Sequence, residues 1–169
     1  GNYFYVDKTV MIKEWWESGD DVTLITRPRR FGKTLNMSML EAFFSVDYAD
    51  RGDLFEGLSI WEDENYRAIQ GTYPMIFLSF ARVKESDYLS VKQRICRLIA
   101  EIYNQHWYLV ESDVLKENEK ADFLDITNKK TNMREEEAST ALNNLCGYLY
   151  RYYGKKVIIL LDEYDTPMQ

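Results

Sequence analysis

Val22-Thr23-Leu24-Ile25-Thr26-Arg27-Pro28-Arg29-Arg30-Phe31-Gly32-Lys33-Thr34-Leu35 is the stretch on which the reading of this chain turns. An apolar run (Val22, Leu24, Ile25) leads into a basic loop, and an amphipathic segment (Leu35, Met37, Met39, Leu40, Phe43, Phe44) leads out of it. That order is strand, tight loop, helix to about Ser45, with Gly-Lys-Thr at the turn. Gly32 leaves room for backbone to approach a phosphate where a Cβ would clash. Backbone N–H groups and the positive end of the helix then face the anion, Lys33 reaches its terminal oxygens, and Thr34 offers a hydroxyl to Mg²⁺. One residue departs from the G-x-x-x-x-G-K-[ST] pattern. Its first glycine falls at position 27, where this chain has Arg.

A chance Gly-Lys-Thr in a basic loop is the competing reading, and the far end of the chain weighs against it. Lys156-Val157-Ile158-Ile159-Leu160-Leu161-Asp162-Glu163 is an aliphatic strand ending in two carboxylates, similar to a Walker B element. A parallel strand delivers Asp162 to the carboxyl edge of the sheet, where it can hold Mg²⁺ directly or through water. Glu163 then stands where it can polarise a water for attack on a γ-phosphate.

Composition limits the alternatives. With 169 residues, 46% hydrophobic and 15% aromatic, the chain is about one domain and can bury a substantial core. A net charge of −7 argues against non-specific nucleic-acid binding by this segment. Arg27, Arg29, Arg30 and Lys33 nevertheless form a basic knot suited to a small polyanion. Arg29 and Arg30 can grip phosphate oxygens or pair with the acidic surface, and the sequence leaves both readings open. Cys96 and Cys146 lie in helical patterns without C-x-x-C or Cys/His partners, which reads as two packed reduced thiols. No apolar run approaches a membrane span and no leader is visible, so the cytoplasm is the expected compartment.

Between the motifs, Asp7 to Glu17 reads as a helix capped by Asp7 or Thr9, with Val10, Met11, Trp15 and Trp16 apolar and Gly19 as its end. Residues 46–73 read as an excursion packed by its aromatics. Pro74 to Phe80 reads as a strand buried on both faces. A helix from about Ser86 carries the stripe Tyr88, Val91, Ile95, Leu98, Ile99, Ile102. Glu111 to Arg134, charged and aperiodic, reads as a mobile loop. Glu135 to Tyr153 reads as a helix with Ala138, Leu142, Leu145, Leu149 and Tyr152 on one face and Gly154 as its stop. Tyr148, Tyr150, Tyr152 and Tyr153 read as core and rim, His106 as a packing or surface residue, and Asp165 as part of a solvated turn. Strands alternating with helices predict an α/β domain with a mostly parallel sheet.

These residues together resemble the AAA-ATPase-like family of prokaryotic P-loop proteins. The resemblance rests on Tyr5-Val6-Asp7-Lys8-Thr9, on Thr26 to Leu35, on Pro74 to Phe80 and on Gly154 to Pro167 with its Asp162-Glu163-Tyr164-Asp165-Thr166-Pro167 ending. It spans nearly the whole chain as one domain, residues 1–169, and Arg at position 27 is itself similar to the family pattern. It implies a P-loop NTPase three-layer sandwich and carries over Arg27, Pro28, Arg29, Arg30, Phe31, Gly32, Lys33, Thr34 and Leu35 as the nucleotide-binding loop. It likewise implies Thr34 and Asp162 as magnesium ligands, with Lys33 and Glu163 catalytic. It also implies that the strand following Walker B inserts between the loop strand and the Walker B strand. That strand lies beyond Gln169, so the expected sheet is incomplete, with an open slot. Family members commonly continue into a nuclease-like domain, whose E-x-K partner is not found after Leu161. Contact with nucleic acid is therefore expected only through such a downstream domain.

The function expected from this reading is ATP binding with Mg²⁺ and hydrolysis in the full-length protein. A nucleotide-gated switch or interaction module with little turnover is the alternative. A small-kinase-type phosphoryl transferase fits the acidic pair less well. A homo-oligomer is compatible with the reading, and a membrane partner is not expected.

Overall fold

The computed structural model describes residues 9–17, 25–27, 33–79, 88–129 and 132–162. The α-helices are α1 (Thr9–Glu17), α2 (Lys33–Phe44), α3 (Glu64–Ile69), α4 (Tyr88–Gln105), α5 (Tyr108–Glu111), α6 (Glu117–Lys129) and α7 (Glu135–Tyr153). The strands are β1 (Ile25–Arg27), β2 (Met75–Ser79) and β3 (Ile158–Asp162), hydrogen-bonded in the order β1-β3-β2. The described residues are thus mostly helical, with a small sheet. Its residues fall into two units, one comprising those up to Phe77 with Val157 to Asp162, the other Leu78 to Lys156.

In the first unit, α2 supplies the organising face. Met37, Leu40, Phe43 and Phe44 recur at helical spacing and are all buried. Phe44 stacks on Trp16 of α1 at 4.9 Å, and Phe43 meets Phe55 edge-on at 5.0 Å. The excursion is packed by aromatics as its composition predicts, through short 3₁₀ turns at Val46–Tyr48, Gly52–Phe55 and Ser59–Glu62. Helix α1 buries Ile12, whereas Val10 and Met11 are 45% and 41% exposed. Thr9, Ile12 and Trp16, three and four residues apart, turn inward on one face, with Trp15 beside them against Phe44 at 5.4 Å. Thr9 Oγ1 accepts the Ile60 N–H at 3.2 Å, and Glu17 accepts the Tyr66 hydroxyl at 2.8 Å, fixing both ends of α1 on the excursion.

The last carbonyls of α2 would be orphaned without partners. Gly71 N–H donates to Phe43 O at 2.7 Å, Tyr73 N–H to Phe44 O at 2.9 Å, and the buried Gln70 amide to Ala42 O at 3.2 Å. Gly71 has φ +70, and a Cβ there would stand 2.5 Å from Ala49 Cα. Only glycine fits this approach.

Strand β3 turns alternate residues inward, Ile158 and Leu160 being buried. Its parallel partner is β1, in the register Ile25 to Leu160, Thr26 to Leu161 and Arg27 to Asp162. Two expectations change here. The loop strand and the Walker B strand pair directly, with no slot between them. Adjacent strand edges that pair satisfy backbone groups that an empty slot would leave without partners. Strand β2, expected to be buried on both faces, alternates: Ile76 and Leu78 are buried while Phe77 is 43% exposed.

In the second unit α4 packs on α6 and α7, and α5 on α7. The stretch expected as a mobile loop, Glu111 to Arg134, holds α5's end and the whole of α6. Helix α6 has few apolar residues, which hides its period, but its ends are strongly specified. Glu119 at its third position accepts the Lys116 N–H at 2.9 Å, half of a capping box, and its first and last turns carry Glu117, Glu119 and Lys129 with the dipole. Its anchor is Phe123, fully buried, with its ring 4.6 Å from Tyr103. Of the stripe expected on α4, Ile99 and Ile102 are buried. Tyr88 is 66% exposed, and Val91, Ile95 and Leu98 line an apolar groove of about 440 Å³ with Met133 and Leu142. On α7, Ala138, Leu145 and Leu149 are buried as expected, joined by Ala141 and Tyr148, while Tyr152 is 43% exposed. Gly154 ends α7 in the left-handed conformation, its N–H on Tyr150 O at 2.8 Å.

Candidate nucleotide site

The candidate site is built from three chain ends of the first unit. Strand β1 ends at Arg27, helix α2 begins at Lys33, and strand β3 ends at Asp162. The connecting residues Pro28, Arg29, Arg30, Phe31 and Gly32 lie outside the described residues, as do Glu163, Tyr164 and Asp165. For Lys33, Thr34 and Leu35 the structure gives backbone position: they form the first turn of α2, where N–H groups have no helical carbonyl to meet. The helix is twelve residues long, so the partial positive charge at that turn is fully developed.

The pairing register brings the two motifs together. Arg27 and Asp162 are Cα partners on adjacent parallel strands, and such neighbours run about 4.8 Å apart. The residue that closes the first strand and the acid that closes the third therefore share one sheet edge. The same register accounts for the arginine in place of the first loop glycine. Position 27 is a strand residue, and extended backbone makes no demand that only glycine can meet.

An anion facing the first turn of α2 would meet backbone donors. By residue type, Thr34 and Asp162 carry oxygen donors, the chemistry that suits a hard divalent cation such as Mg²⁺. Among the described residues there is no group of three or more His, Cys, Asp or Glu placed to hold a metal by itself.

The remaining singled-out side chains are structural. His106 Nδ1 lies 2.8 Å from Ile102 O, and its ring faces Tyr108. Cys96 is buried with its thiol on Met133 O, and Cys146 is half-buried; both are free thiols. No helix among the described residues is long and apolar enough to cross a membrane. A polar groove lies between α6 and α7, lined by Asp122, Asp125, Lys129 and Glu137.

Over residues 1–169 the chain matches the AAA-ATPase-like family, described as "Predicted AAA-ATPase". It is also 28% identical over 167 residues to a protein of Azotobacter chroococcum mcd 1 described as "Uncharacterized protein in vnfD 5'region". That alignment covers 99% of this chain and 26% of the Azotobacter protein, so the chain spans about a quarter of that relative's length. No solved structure matches the chain significantly.

Proposed function

Given that this chain belongs to the AAA-ATPase-like family, we propose that it binds ATP with Mg²⁺ and supplies the hydrolytic half-site of a longer protein. The observation that carries this reading is the register of Arg27 with Asp162, beside a helix that begins at Lys33. The first turn of α2 and the loop before it cradle the phosphates, and Lys33 neutralises their terminal oxygens. Thr34 and Asp162 would hold the magnesium ion, which when bound offsets the charge on the transferred phosphoryl group. Glu163, one residue beyond the strand, orients and polarises the attacking water. The full three-layer sandwich belongs to this same reading.

A Glu163→Gln variant of the full-length protein separates the roles. Turnover is expected to fall about 100-fold or more while nucleotide affinity stays within a few-fold. Unchanged hydrolysis would remove Glu163 from the chemistry.

A second reading is favoured by the direct pairing of β1 with β3. Paired edge to edge, β1 and β3 bring Arg27 and Asp162 side by side, an edge suited to holding nucleotide. Retention of ADP with negligible steady-state hydrolysis in the full-length protein would select this switch over the hydrolase. Oligomerisation, and any contact with nucleic acid through another domain, belong to the longer protein on either reading.

A further inference from the structure

Helix α4 is apolar over more than the face it buries. Cys96, Ile99, Ala100, Ile102 and Tyr103 are buried, and the helix packs on α6 and α7. On an adjoining face Val91, Ile95 and Leu98 are only half-buried, and Tyr88 is exposed. These line the apolar groove of about 440 Å³, whose far wall is Met133 and Leu142. Its lining lies wholly within the second unit. Tyr88 and Leu89, 66% and 59% exposed, extend the apolar surface beyond the groove at the start of α4. A helix with a second apolar face is one that is packed from two sides, and α6 and α7 cover only one of them.

The charges around the groove select what covers the other. Lys92 lines it, and Arg94 flanks it, three residues after Val91 and four before Leu98. Neither has an ion pair among the described residues. On the opposite wall Arg134 is held by Glu137 at 3.0 Å, which leaves Glu135 as the uncompensated charge there. The α4 wall is therefore cationic and the α7 wall anionic. Walls of opposite sign read the two flanks of whatever enters, carboxylates toward α4 and a neutral or basic flank toward Glu135. An alkyl chain has no such flanks. A second copy packed α4 against α4 would set Lys92 and Arg94 against their own equivalents. The stripe from Tyr88 to Leu98 runs about 15 Å along the helix, room for anchors one and two turns apart on an incoming helix.

We propose that this groove docks an amphipathic helix of a partner protein, its apolar stripe on Val91, Ile95 and Leu98 and its acidic flank against Lys92 and Arg94. The partner helix covers the open face of α4 as α6 and α7 cover the other. The docking site is separate from the nucleotide edge and stands whether or not that edge hydrolyses ATP.

The test is fluorescence polarisation of two labelled synthetic helices, each about four turns long, titrated with the full-length protein. Both carry leucines at i, i+3, i+4 and i+7; one has glutamates along a single flank, and the other has lysines there. The acidic helix is expected to bind saturably, about ten-fold or more tighter than the basic one, and to weaken as salt is added. Ile95→Glu should weaken the acidic helix about ten-fold or more, with Glu101→Gln on α4 as the unaffected control. Lys92→Glu should weaken the acidic helix about five-fold and strengthen the basic one, a reversal that loss of folding cannot produce. Equal binding of the two helices, or no saturable binding of either, would overturn the proposal. Decanoate binding that the acidic helix cannot displace would do so too, by giving the groove to a fatty acid. So would a dimer that Ile95→Glu splits into monomers, which would give it to a second copy.

Discussion

The two units treat polar chemistry differently. In the first, packing and chemistry are segregated: the core of Ile12, Phe43, Phe44, Phe55 and Tyr66 lies on α1, α2 and the excursion, while the motif residues sit where β1 and β3 stop and α2 starts. In the second they are superimposed. Arg151 covers the Tyr148 ring, bonds Glu119 at 2.7 Å and reaches Val114 O at 3.0 Å, so one side chain serves packing, helix pairing and capping together. Segregation lets a site change without the fold following; superposition couples every charge to stability.

The largest stability effect should come from removing an aromatic anchor. Phe123→Ala is expected to cost about 3–5 kcal/mol in urea denaturation, because the ring is fully buried against Tyr103 and Tyr148. Faster amide exchange in α6, with α2 amides unchanged, would sharpen the contrast between the units. A backbone substitution comes next. Gly71→Ala combines a left-handed conformation with a Cβ driven into Ala49 and should cost about 2–3 kcal/mol, measured the same way. A loss below about 0.5 kcal/mol would mean that the excursion yields easily.

A smaller effect tests the superposition itself. Glu119→Ala removes both the α6 cap and the Arg151 pair, and a loss of about 1 kcal/mol is expected. The pH dependence carries the same sign. Arg151 first, and then the Lys116 N–H, hold the Glu119 carboxyl below its ordinary range, and Lys129 and Arg134 hold Glu137 at about 2. A depressed carboxylate stabilises above its unfolded pKa, so this contribution is complete near neutrality. It fades as pH falls from the ordinary glutamate value of 4.5 toward 2. A melting temperature flat through that acid window would break the account of the second unit.

What the sequence made legible follows the same division. Apolar runs ending in Asp162 and a loop ending in Gly-Lys-Thr declare strand ends, because a buried strand has to be aliphatic and a phosphate loop has to have glycine and lysine. The parallel β1–β3 pairing and the buried alternate residues of β3 agree with that reading. The direct contact of the two strands was not legible, since which edges meet depends on hydrogen bonds between segments far apart in sequence. Helix α6 was missed for a different reason. A helix held by one phenylalanine and by its caps has almost no hydrophobic period, and Glu119 three residues after Lys116 was its available signal.

On the proposed function, the two motifs form one nucleotide site at a shared sheet edge. Its most direct test is the melting temperature of the full-length protein with and without Mg²⁺-ATP, for wild type and Lys33→Ala. Wild type should be stabilised by several degrees at saturating nucleotide, while Lys33→Ala should melt near the nucleotide-free wild type and lose that stabilisation. An equal shift in both proteins, or none in wild type, would contradict it.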